Sequence, residues 1–197
     1  MSRSRVEMIE ETRGRVLSTA RESFRRAGYA GTSMDDLTAV AGLTRGALYH
    51  HFGDKQGLLA AAAAQIDGEM EARLQAISRD VPDAWTALRE RCRAYLAMAA
   101  EPEIRRIVLQ DARAVLGQGG AAAQEQCTAS LGALLQALMA QGVIGPTQPD
   151  ALARMLHGGL ADSALWIAGD DSQARLAQAL QPGESSAFSQ LTRSLSS

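Results

Sequence analysis

The chain has 197 residues, 46% of them hydrophobic and only 4% aromatic, with Ala and Leu dominant and no β-branched runs. That composition excludes a disordered chain and favours an all-helical protein with a substantial core. The formal net charge of −2 announces neither a nucleic-acid binder nor a membrane binder, and no run of 18 apolar residues occurs.

Charge is unevenly spread. Residues 1–57 hold nine Arg and Lys against seven Asp and Glu, so a head of +2 precedes a body of −4. The opening "MSRSRVEMIEETRGR" is charged and has no apolar core, so no signal peptide is expected and a cytoplasmic location is. Cys92 and Cys127 stand far apart on apolar helix faces, where core packing is the simplest expectation.

The first helix is expected over residues 7–27, with Ile9, Val16, Ala20, Phe24 and Ala27 near one face and Gly28 as its stop. Ser33 followed by Asp36 resembles a capping box and opens a short helix with Met34, Leu37 and Ala41 inward and Gly42 at its end. Thr44 caps a third, very short helix that turns Leu48 and Phe52 inward, and Asp54 caps a fourth over 54–79. Two short helices joined through Gly42-Leu43 make a helix-turn-helix.

Longer segments follow. Pro82 starts a helix striped by Trp85, Leu88, Cys92, Leu96 and Ala99, and Pro102 opens "EIRRIVLQDARAVL", closed by Gly117. Residues 121–141 place Cys127, Leu131, Leu134 or Leu135, and Leu138 inward, and 150–168 form a strongly apolar helix. The tail reads as a helix broken at Pro182-Gly183. The expectation is all-α, about nine helices: a three-helix DNA-binding domain over 1–57 and a larger helical regulatory and dimerisation domain over 58–197.

The third helix carries the chemistry. Opposite Leu48 and Phe52 it turns out Gly46 and His50, flanked by Ala47 and Tyr49, with Arg45 in the first turn. Such a helix suits the major groove: Arg donates twice to guanine, and Tyr reaches a phosphate or a thymine methyl. Gly46 costs about 1 kcal/mol in mid-helix against Ala, and close approach to DNA is a reason for it. Lys55, the only lysine, opens the fourth helix, where the dipole disfavours a cation. A phosphate there would offset that cost; a solvated surface charge is the plainer alternative. Arg3 and Arg5 sit on an N-terminal arm that either enters the minor groove or touches nothing. His50 and His51 point about 100° apart on a helix with no partner cluster nearby, so no metal site is expected. Neither a Ser/His/Asp order nor a phosphate loop suggests an enzyme.

The stretch "TSMDDLTAVAGLTRGALYHHFGDKQGLL" resembles the DNA-binding signature of the TetR family of bacterial transcriptional regulators, over about residues 10–60. The resemblance implies a homodimer that binds a double-stranded DNA operator. It places Arg45, Gly46 and Tyr49 near bases, and Ser33, Thr44, His50, His51 and Lys55 near phosphates. It also implies a small-molecule pocket among the middle helices and a dimer interface from the last two long ones. Candidates for the pocket are Trp85, Tyr95, Met98, Asp111, His157, Asp162 and Trp166, with plain core packing equally able to explain the aromatic and Met positions. Gly158-Gly159, inside an apolar helix, suggests close approach at the dimer seam or beside a ligand. The expected function is a repressor released from a palindromic operator by an unknown small molecule, without a cofactor. A constitutive regulator or an activator without an effector is the alternative.

Overall fold

The computed structural model describes residues 5–42, 44–81, 83–117 and 121–181. Among them are nine α-helices: α1 (Arg5–Gly31), α2 (Met34–Ala41), α3 (Arg45–Phe52), α4 (Lys55–Arg79), α5 (Ala84–Met98), α6 (Arg113–Leu116), α7 (Ala121–Ala140), α8 (Pro149–Ile167) and α9 (Ser172–Ala179). A π-helical segment, Ile104–Ala112, runs directly into α6. The protein is all-α, and none of its described helices is long and apolar enough to cross a membrane. Arg3, Pro82 and the Pro182-Gly183 break lie outside the described residues. The chain forms two compact units, Met1–Ile66 with Pro102–Gly119, and Asp67–Glu101 with Gly120–Ser197.

In the first unit, α1 buries Val16, Leu17, Ala20 and Phe24. The inward series steps by four through 16, 20, 24 and 28, so Gly28 takes the buried position and Ala27 is exposed. Ile9, also expected inside, is exposed. Gly28 breaks the helix with φ +71° and ψ 174°, a region essentially reserved for glycine. A Cβ there would also strike the Arg106 guanidinium.

Three contacts fasten α1 to the π-helical segment and to Glu103 just before it. Arg21 makes a two-pronged pair with Glu103, both N–H···O distances 2.8 Å. The Tyr29 backbone N–H donates to the Asp111 carboxylate at 2.7 Å. Arg106 Nε lies 3.4 Å from the same carboxylate. The continuous α-helix expected after Pro102 is thus π-wound for nine residues before α6, and Gly117 (φ +84°) ends it as expected. Nothing in the local sequence explains the wider turn.

Short-range signals set the helix-turn-helix. Ser33 Oγ accepts from the Asp35 and Asp36 N–H groups at 3.2 and 3.4 Å, and Gly42 closes α2 in the left-handed region. Thr44 Oγ1 accepts from Ala47 N–H at 3.3 Å to open α3, which buries Leu48 and Phe52. Asp54 Oδ1 accepts from Gly57 N–H at 2.7 Å to open α4. Arg13 lies over the Phe52 ring, 4.8 Å from its centroid.

The second unit holds a core of Leu88, Cys92, Leu131, Leu135, Leu138, Ile144 and Ala153, with Trp85, Cys127 and Leu134 partly buried against it. Leu135, not Leu134, is therefore the fully buried member of that pair. Both cysteines are free thiols; burial pushes Cys92 up to about 12 and raises Cys127 as well, so neither is a reactive thiolate. Beside this core lies a buried ion pair, Arg91 Nη2 to Glu71 Oε2 at 2.7 Å.

Candidate nucleic-acid interface and effector site

The capping and packing just described leave one side of α3 to solvent. Arg45, Gly46, Tyr49 and His50 are exposed there, while His51 is half-buried beside the His50 ring (centroids 5.7 Å apart). A Cβ at Gly46 would meet nothing within 4 Å. Packing among the described residues therefore gives no reason for that glycine.

Arg45 is not free. Its Nη2 lies 2.6 Å from an Asp35 carboxylate oxygen, reaching from α3 back to the first turn of α2. Both side chains are mostly exposed, so the pair adds little stability but holds the guanidinium in one orientation. Lys55 is also held: its Nζ stands 4.4 Å from the centroid of the Tyr29 ring, a cation–π contact in a half-buried setting. That contact keeps the ammonium at the start of α4 against the helix dipole. Ser33 and Thr44 spend their hydroxyls as helix caps. Asp35 and Tyr29 carry no sequence signal for these pairings, because each partner sits across a turn or on another helix.

The seven pocket candidates scatter. Asp111 belongs to the first unit, where it receives the Tyr29 N–H. Asp162 and Trp166 are exposed on α8, and Arg175 lies 5.5 Å from the Trp166 ring centroid. Met98 is buried, and Trp85 packs against the Leu88 cluster. Tyr95 and His157 do come together, ring centroids 6.3 Å apart and edge-on.

Around that pair the second unit gathers polar groups the sequence reading missed. Glu71 receives Arg91, the Ser130 hydroxyl at 2.7 Å and the Gln75 amide at 3.0 Å. Burial raises the Asp67 carboxyl to about 6, with no ion pair to it among the described residues. Burial, helped by the Arg91 charge, lowers His157 and keeps its imidazole neutral. Burial also raises the Tyr95 phenol. A signal existed: Asp67/Glu71 and Arg91/Tyr95 are both spaced by four, which puts each pair on one helix face.

Comparison with known proteins agrees with this architecture. The family model described as "Bacterial regulatory proteins, tetR family" matches residues 16–62, and "Tetracyclin repressor-like, C-terminal domain" matches residues 85–189, over half of the chain. A crystal structure of a TetR-family transcriptional regulator from Pectobacterium atrosepticum is 56% identical, with a TM-score of 0.88, covering 98% of this chain and 97% of that one. The transposon Tn10 TetC protein of Escherichia coli is 26% identical over 154 residues, 77% of this chain and 78% of that protein. The structure of AibR in complex with isovaleryl coenzyme A and operator DNA is 24% identical with a TM-score of 0.57, covering 84% and 93% of the two chains; that likeness shows the fold. The chain belongs to the TetR family of DNA-binding transcriptional regulators.

Proposed function

We propose that the protein is a homodimeric repressor that leaves a palindromic operator when a small molecule binds its second unit. Arg45, Gly46 and Tyr49 meet base edges in the major groove, and Ser33, Thr44, His50, His51 and Lys55 meet phosphates. The observation that carries this reading is α3 itself. One side is buried through Leu48 and Phe52, and the other leaves Arg45, Gly46 and Tyr49 exposed with a glycine that no internal contact requires.

Twofold symmetry asks for recognition helices about 34–36 Å apart, or a multiple of that spacing. In this reading residues 1–57 form the DNA-binding domain and 58–197 the regulatory and dimerisation domain. Helix α4 carries Lys55 in its first turn and continues into the second unit. A ligand favouring one state of that helix shifts DNA affinity by its differential affinity for the two states. AibR, solved with both a small molecule and operator DNA, supports the plausibility of such coupling on this fold.

Fluorescence anisotropy on the intergenic DNA beside the protein's own gene tests the reading at two salt concentrations. Lys55→Ala is expected to weaken binding to all sequences and to lower the salt slope by about 1. Arg45→Ala is expected to cost about 1–3 kcal/mol on the specific site and to relax the preference at one base pair. Uniform loss in Arg45→Ala, with unchanged discrimination, would remove Arg45 from base readout. A constitutive regulator would instead bind the same DNA unaffected by any small molecule.

A further inference from the structure

Four helices of the second unit contribute polar side chains beside its apolar core. Helix α4 offers Asp67 and Glu71, and α5 offers Tyr95 and Arg91 in the reverse order along the chain. Glu71, Arg91 and Ser130 satisfy one another: the Arg91 to Glu71 distance is 2.7 Å, the Ser130 hydroxyl donates to Glu71 at 2.7 Å, and the ion pair is 3% and 7% exposed.

One turn away the groups are unsatisfied. His157 on α8 is 9% exposed, and its Nδ1 is buried with no hydrogen-bond partner among the described residues. Tyr95 stands edge-on to that ring at 6.3 Å. Asp67 is one turn from Glu71 on α4 as Tyr95 is one turn from Arg91 on α5, so the Arg91–Glu71 pair brings the two together, and among the described residues Asp67 has no hydrogen bond or ion pair. Buried polar groups without partners are costly and uncommon, and a bound molecule that supplies partners removes the cost.

We infer that Asp67, Tyr95 and His157 form a binding site for a small organic cation, a protonated amine or amidine. Asp67 takes the charge, His157 Nδ1 accepts a second N–H with its own proton on Nε2, and the Tyr95 ring lies beside the cation. Charge selects this class. Glu71 and Arg91 neutralise each other, His157 is neutral, and Asp67 is the one uncompensated charge of the set. An anionic ligand would meet that carboxylate while Arg91 is already engaged. The inference rests on the ligand-responsive reading above and names the chemistry of its effector.

Calorimetric titration with benzamidine, benzyl alcohol and benzoate separates charge from shape. Anisotropy on operator DNA, read in parallel, reports release. Benzamidine is expected to bind, with the other two at least about tenfold weaker, the value of one charge-assisted hydrogen bond. Asp67→Asn and Asp67→Ser, each with parent-like helicity by circular dichroism, are expected to weaken benzamidine by about tenfold or more. Equal or better binding of benzoate or benzyl alcohol overturns the inference. So does retained benzamidine affinity in both variants, or no benzamidine binding by the parent. Benzamidine bound without any change in DNA affinity keeps the site and removes the inducer reading. Benzoate that releases DNA without benzamidine doing so has the opposite meaning.

Discussion

Asp67 puts a titration signature on the chain. Its carboxyl has an ordinary value of 3.8 and rises to about 6 in the folded protein, with burial as the cause. Between those values the folded chain holds a proton that the unfolded chain has lost. The stability tied to the neutral carboxyl is therefore full below the unfolded value and is lost as pH rises through about 6. Asp67→Asn, neutral at every pH, is expected to melt higher than the parent above that value, and the gap is expected to close toward pH 3.8 in calorimetric scans. A constant gap across the window would place the cost of Asp67 elsewhere than in its charge. His157 runs the other way, since its lowered value makes protonation favour the unfolded chain as pH falls. The parent-minus-variant comparison cancels it.

Helix ends are the next scale, where the sequence was most legible. Ser33, Thr44 and Asp54 cap as their types suggest, Gly42 and Gly117 adopt positive φ at helix ends, and Gly28 does so where α1 breaks. These signals are local: a cap needs only a side-chain oxygen within three residues of an orphan N–H. Gly28 has a second duty that no local rule predicts, the close approach of Arg106 from 78 residues along the chain. Gly28→Ala is expected to destabilise the protein by about 1–3 kcal/mol in urea unfolding, from backbone strain before the displaced arginine is counted. Loss of less than a few tenths would mean that the α1 end relaxes into a conformation alanine tolerates. The π-helical segment marks the limit of such reading, because its helix type left no trace in residue spacing.

At the scale of the whole molecule, assembly is the question, since the function proposed above has the protein bind its operator as a homodimer. Helix α8 leaves Met155 75% and Trp166 43% exposed, and a Cβ at Gly158 or Gly159 would meet nothing within 4 Å. Two glycines with open space, three and four residues from the exposed Met155, suit the close approach of a second copy. Met155→Arg is expected to shift sedimentation toward the monomer and to weaken operator binding by more than tenfold, because single half-site binding loses the linkage between subunits. An unchanged sedimentation coefficient with unchanged operator affinity would move the interface to another face.

By itself the sequence determined the helical class, most helix ends, the outward face of α3 and the membership its motif implied. Each of these follows from spacing within one or two turns, where 3.6-residue periodicity and capping chemistry act directly. Only the tertiary structure decided that Arg45 is held by Asp35 and Lys55 by Tyr29. It alone joined Tyr29 to Asp111 and left Asp67, without a partner among the described residues, one turn from the Glu71–Arg91 pair, and it set Tyr95 beside His157. Those pairings link residues up to 82 positions apart. Their partners are chosen by which helix faces pack together, a choice made by the summed burial of many side chains and written at no single position.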